Sequence, residues 1–376
     1  MRCEPASTQE RRQVTRRAIA ALALSIGSVA GTRATEPGAV PTDPIAAELA
    51  HCRQLLRGLP EGSADSQAIR EMSEPVFAKA EAALAGGRRL AALYYLALAR
   101  MNVAAQASLP SGPFEGPDAL SALEAEWKRV GLNLHPALTE PGRPDLGAVP
   151  AAIRGLAEVA FAEVKPYYDA SLEYGRSAGP EYGWFYLGAA QSQLEFARFC
   201  ARLAVPDAAA PPPLRTLAPE LDALEGEMLA AYKPPASIDS HPQFIRMSAT
   251  LKQARELDRA DLRYGALYLY LEARLRLSRL TGGGRAIDLG EAVELGRTAG
   301  ERFDREAADH TVGRLFVELA LVGAADPDPK AKGGEVARAV FDDVLPRYFA
   351  ALEPAKPPPP TPAPAVTVTL VRWPYT

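Results

Sequence analysis

Ala91-Ala-Leu-Tyr-Tyr-Leu96, Gly183-Trp-Phe-Tyr-Leu187 and Gly265-Ala-Leu-Tyr-Leu-Tyr-Leu271 are three versions of one segment in a chain of 376 residues. Aligning Leu93, Trp184 and Leu267 brings Ala92, Gly183 and Ala266 together, then Leu96, Leu187 and Tyr270, then Ala99, Ala190 and Ala273. Small, large and small residues at i, i+4 and i+7 form one stripe along a helix, where side chains three and four apart share a face. The copies stand 91 and 83 residues apart, so the unit that contains them is long and uneven.

Upstream of the first copy, Val76 to Leu84 reads as an apolar helix closed by Gly86 and Gly87, whose permissive backbone suits a helix C-terminus. The run from Lys79 to Ala99 resembles a tetratricopeptide repeat, with glycine at the turn and alanine, a large residue and alanine on the second helix. Thr250 to Arg274 follows the same outline without the glycine, and the resemblance covers 76–100, 166–191 and 250–274. It implies an all-α fold of stacked antiparallel helical hairpins, as a superhelix or a bundle, serving as a scaffold for a protein or peptide partner. Tandem units of that family follow one another at about 34 residues. Here other helices intervene, expected at Asp118 to Val130, Pro150 to Val164 and Pro219 to Tyr232.

The helical pattern fills 46–353, with ten to twelve helices at ordinary lengths. Ser73 before Pro75 reads as a helix start, Asp118 follows Gly116-Pro117, Pro150 and Pro219 suit first turns, and Gly282 to Gly284 close a helix. Breaks rich in Pro and Gly fall at 109–117, 134–150, 205–219, 233–242 and 324–333. The Ala-Pro stretch at 205–217 is the place where the helical region would divide.

Both ends differ in character from this body. Residues 1–34 read as a signal peptide, because arginines 11, 12, 16 and 17 precede the uncharged stretch Ala18 to Ala30 and Ser28-Val-Ala30 offers small residues for cleavage. That apolar stretch would cover only about 20 Å as a helix, short of a membrane's hydrocarbon layer. Thr15-Arg-Arg-Ala-Ile19 also resembles a twin-arginine export signal. The expected destination is periplasmic or extracellular, with 35–45 as a linker and no integral membrane span in the mature chain. Beyond the body, 354–365 is a proline-rich spacer and 366–376 alternates β-branched residues up to Trp373, a strand-like tail suited to adding to a partner's sheet.

Composition excludes several classes. Without residues 1–30, five Arg and two Glu fewer, 37 basic residues face 44 acidic ones, so a nucleic-acid partner, which needs clustered cations, is not expected. The histidines at 51, 135, 241 and 310 are scattered, Glu48-Leu-Ala-His51 is half of a di-iron pattern with no second copy, and no metal or cofactor is expected. Gly282-Gly-Gly-Arg285 lacks the Lys-Ser/Thr of a phosphate loop, and no catalytic residue stands out. Cys52 and Cys200 are the two cysteines of the exported chain, either a disulfide or two buried apolar thiols.

Candidate binding residues remain. Tyr94, Phe185 and Tyr268 occupy one helical position, about 200° from the alanine stripe, where they either pack on the next hairpin or line a groove. His241, in the loop Ile238-Asp-Ser-His-Pro242, joins them, as does Trp373. The leading expectation is an exported, non-enzymatic scaffold that binds a protein or peptide. A periplasmic carrier of a small ligand such as a saccharide is the alternative, and an all-α enzyme the third.

Overall fold

Asp43 opens the first helix by accepting a hydrogen bond of 2.9 Å from the Ile45 N–H, with Pro44 in the first turn where its missing donor costs nothing. The computed structural model describes residues 43–110, 117–139, 144–204, 211–234, 237–282, 285–306, 308–328 and 332–353. Among these are twelve helices: α1 Pro44–Gly58, α2 Ala64–Ala85, α3 Arg89–Ala107, α4 Pro117–Leu138, α5 Ala151–Ser177, α6 Pro180–Ala201, α7 Ala218–Ala231, α8 His241–Arg259, α9 Arg263–Thr281, α10 Leu289–Arg305, α11 Thr311–Ala324 and α12. The last is a composite of α turns at Gly333–Ala339, a π turn at Val340–Val344 and α turns at Leu345–Leu352. The fold is all-α, with no strand among the described residues. The leader, the proline-rich spacer and the strand-like tail with Trp373 lie outside them.

The three sequence copies sit at the starts of α3, α6 and α9, each the second helix of a hairpin: α2/α3, α5/α6 and α8/α9. The stripe is buried as its spacing demands, with Ala92, Ala266, Ala190 and Ala273 at 0% exposure and Leu96, Leu187 and Tyr270 at 4% or less. Small residues set how closely helices cross. A Cβ at Gly155 of α5 would stand 2.9 Å from the Tyr264 carbonyl oxygen of α9, so glycine is what lets these two helices meet.

Each hairpin turn contains a residue with positive φ. Gly87 (φ 74°) and Asp261 (φ 60°) hold matching places before α3 and α9, and Gly179 (φ 132°) precedes α6. In the first and third turns a backbone N–H reaches back five residues, Arg88 to Ala83 at 2.8 Å and Leu262 to Leu257 at 2.9 Å, a Schellman closure. The third hairpin therefore does without glycine by placing an aspartate in the left-handed region, which Asp tolerates better than most residues.

The hairpins do not form an open row. α3 packs on α6, and α5 on α9, but α11 returns to pack on both α3 and α5 while α12 packs on α9. The result is a closed bundle. One cluster of buried apolar side chains runs from Ile45 to Ala351 and includes residues on both sides of 205–217.

Helix bounds expected from proline were overruled at Pro75 and in the break at 134–150. Ser73 is 2% exposed inside α2, which begins at Ala64 under a cap from Ser63, and Pro75 lies within the helix. Pro136 and Pro166 are likewise internal to α4 and α5. An internal proline costs about 3 kcal/mol. Buried residues on either side, such as Ile69 and Phe77 around Pro75, carry the helix through.

Several helix N-termini are capped by carboxylates from elsewhere in the fold. α3 and α9 have no side-chain cap of their own. Glu318 of α11 accepts from the Ala91 N–H at 2.8 Å, and Glu158 of α5 from the Gly265 N–H at 2.8 Å. Asp309 does the same for Ala151 of α5 at 2.8 Å, and Asp258 for Leu217 of α7 at 3.0 Å.

Thermal or denaturant unfolding tests three substitutions. Gly87→Ala loses about 1 kcal/mol, since nothing lies within 4 Å of the added Cβ and only the backbone conformation resists it, whereas Asp261→Gly gains about 0.5–1 kcal/mol. Glu158 is 1% exposed and also pairs with Arg154 at 2.8 Å, so Glu158→Ala should destabilise by about 2–4 kcal/mol by stranding a buried N–H and a guanidinium.

Candidate functional site

The aromatic position divides between two surroundings. Tyr94 and Tyr268 face one another, rings 6.4 Å apart and inclined at 62°, and Tyr268 continues to Phe316 of α11 at 6.4 Å. Tyr268 is 5% exposed, so this pair is hairpin-to-hairpin packing with polar tips. The Tyr268 hydroxyl meets the carboxylate of Glu272, which in turn pairs with Arg276. Burial, then the Glu272 charge, pushes both tyrosines well above the usual phenol range.

Phe185 goes elsewhere. It packs against the small cluster of Met101, Ala105 and Ala189 and also lines a cleft of about 1060 Å³ between α1, the start of α2, the end of α3 and the start of α6. Buried Leu59 and Ile69 form its floor, half-buried Leu55, Met72 and Tyr182 its walls, and exposed His51, Gln54 and Asp65 its rim. Gln106, 8% exposed, sits deep within it and donates to Ser66 Oγ at 3.5 Å. The cleft is mainly apolar with a polar edge. His51, which in sequence matched only half a metal pattern, belongs to this edge.

A second, smaller pocket of about 490 Å³ lies between α5, α8 and the end of α4. Phe161, Glu163 and Tyr167 of α5 and Gln253 and Leu257 of α8 line it. The Glu163 carboxylate accepts from the side-chain amides of Gln253, at 3.1 Å, and Gln193. Burial raises its pKa above the ordinary carboxylate value, the two amide bonds oppose that, and the charge of Glu272 adds to it. Sequence reading missed Glu163, because its partners are glutamines on two other helices and no local spacing links them.

The remaining candidates are apart from both pockets. His241 begins α8 and is exposed, with Nδ1 2.8 Å from the Tyr232 hydroxyl, so it ties the end of α7 to the start of α8. Cys52 and Cys200 are buried free thiols that share the neighbours Glu48 and Arg100. Arg100 joins Glu48 at 2.7 Å to the Ser192 carbonyl oxygen at 2.6 Å, fastening α1 and α3 to α6. Among the described residues, no group of three or more His, Cys, Asp or Glu could hold a metal ion, and no helix is long and apolar enough to cross a membrane. Compared with protein-family models, curated proteins and solved structures, the chain gives no match to any of them.

Burial pushes the Cys52 thiol up to about 12 and that of Cys200 higher still, so neither forms thiolate near neutrality. With Cys3 replaced by serine, thiol titration at about pH 8 should find no reactive group in the folded chain and both in denaturant without reductant. Two thiols that appear only after reduction would mean a disulfide instead.

Proposed function

We propose that this chain is an exported, non-enzymatic helical-hairpin scaffold of tetratricopeptide-like design that takes a protein or peptide segment into the cleft beside Phe185. The observation that carries this reading is the cleft itself. At about 1060 Å³ it reaches the upper bound usual for small-molecule sites, and four helices frame it as a trough rather than a closed chamber. Its apolar floor and polar rim match what an amphipathic helix presents, apolar anchors at i, i+3 or i+4 and i+7 with polar groups flanking them. Export rests on the basic and apolar leader at 1–34. The alternative, a carrier of a small ligand, draws on the smaller pocket at Glu163 instead.

The test is selection of a displayed random-peptide library on the full chain, then binding of the enriched peptides to Phe185→Ala and Met72→Asp variants. The expected result is a set of peptides sharing apolar anchors at helical spacing, with affinity reduced at least tenfold, about 1.4 kcal/mol, in both variants at a temperature where circular dichroism shows them folded. Failure to enrich any such set, or binding indifferent to both substitutions, would refute the cleft as a peptide site.

A further inference from the structure

Half-buried Glu163 has neither the cation nor the helix end that most other buried and half-buried carboxylates have. Glu48 has Arg100, Glu272 has Arg276, and Asp343 has Arg274 at 2.6 Å. Glu318 has a helix N-terminus, and Glu158 has both a helix N-terminus and Arg154. Glu163 accepts only from two neutral amides, and among the described residues no Lys, Arg or His forms an ion pair with it. Lys165, which shares the pocket, is turned to Asp169, with both side chains more than half exposed. Glu163 is half-buried at the pocket wall, and a partly desolvated carboxylate without a counter-ion carries a cost that a cation brought to it offsets.

We propose that the pocket between α5 and α8 binds a small organic cation, an ammonium or guanidinium on an apolar stem. The cation is held by Glu163, whose oxygens Gln193 and Gln253 fix in place. Tyr167 supplies aromatic surface that attracts a cation, and Leu257 supplies apolar surface for the stem. Glu256 lines the same pocket but is mostly exposed and paired with Lys252 at 3.9 Å, so the charge that would hold the cation is that of Glu163. A volume of about 490 Å³ lies in the ordinary range for small-molecule sites. This pocket is formed by helices other than those framing the Phe185 cleft, apart from a single amide reaching Glu163 from α6, so the two readings stand or fall separately.

The experiment is calorimetric titration of the full chain with 1,5-diaminopentane and agmatine, with 1-pentanol as the neutral stem and glutarate as the anion. Both cations should bind one to one, pentanol and glutarate much more weakly. Glu163→Gln keeps the shape and removes the charge, so cation affinity should fall at least tenfold while melting is unchanged or raised. Glu163→Asp, which keeps the charge but withdraws it by one methylene, should fall between the two. The cation needs the ionised carboxylate, so wild-type affinity should weaken as pH falls through the raised pKa of Glu163, above the ordinary carboxylate midpoint of 4.5, and this dependence should vanish in Glu163→Gln. Binding of acetyl-lysine-amide but not of the free diamine would identify the cation as a side chain of a partner, and the reverse a free amine. The proposal is overturned if no cation binds at up to about 10 mM, if pentanol binds as well, or if Glu163→Gln binds cations like wild type.

Discussion

Every helix begins with N–H groups that its own turns cannot satisfy, and in this protein that requirement shapes the whole interior. α3, α5, α7 and α9 start without a capping side chain of their own. Carboxylates from elsewhere in the fold do the work: Glu318, Asp309, Asp258 and Glu158. Each accepts a hydrogen bond and also places a negative charge at the positive end of a helix dipole. The arrangement has a cost, since burial holds the Glu318 carboxyl above its usual range even with the N–H groups of Ala91 and Leu90 drawing it back down. It is sustained because a helix end left bare in the interior would be worse.

Local signals in the sequence carried much of the fold. The alanine stripe announced three buried helices with a common face, and Gly86-Gly87 announced the first turn, because both depend only on residues within a few positions of one another. The third turn was hidden, since Asp261 adopts a conformation ordinarily associated with glycine. Proline misled at position 75 and in the break drawn at 134–150, which contains Pro136, because packing on both sides outweighs the lost hydrogen bond. The capping carboxylates were out of reach of any pattern. Glu318 and the Ala91 N–H that it receives are 227 residues apart.

The candidate sites show the same division. Tyr94, Phe185 and Tyr268 were legible as equivalent positions, and on their helices they are. Their surroundings differ because α3 and α9 place that position against one another and against α11, whereas α6 carries it to the edge of the bundle beside α1 and α2. Equivalence in sequence thus gave one residue facing a cleft and two forming a contact. Glu163 was silent for the opposite reason: its identity is ordinary, and only the meeting of α5, α6 and α8 makes it a carboxylate supported by amides instead of cations.

The return of α11 onto α3 and α5 has an implication for how such a chain can evolve. In a linear array of hairpins each unit touches only its neighbours, so units can be duplicated or lost at little expense to the rest. Here the last hairpin supplies the carboxylate that completes the first, and the loop before α11 supplies the one that completes the second. Inserting or deleting a unit would move Glu318 and Asp309 away from the helix ends they serve. The number of hairpins is therefore tied to the places of these two carboxylates, unlike the free unit count of an open array.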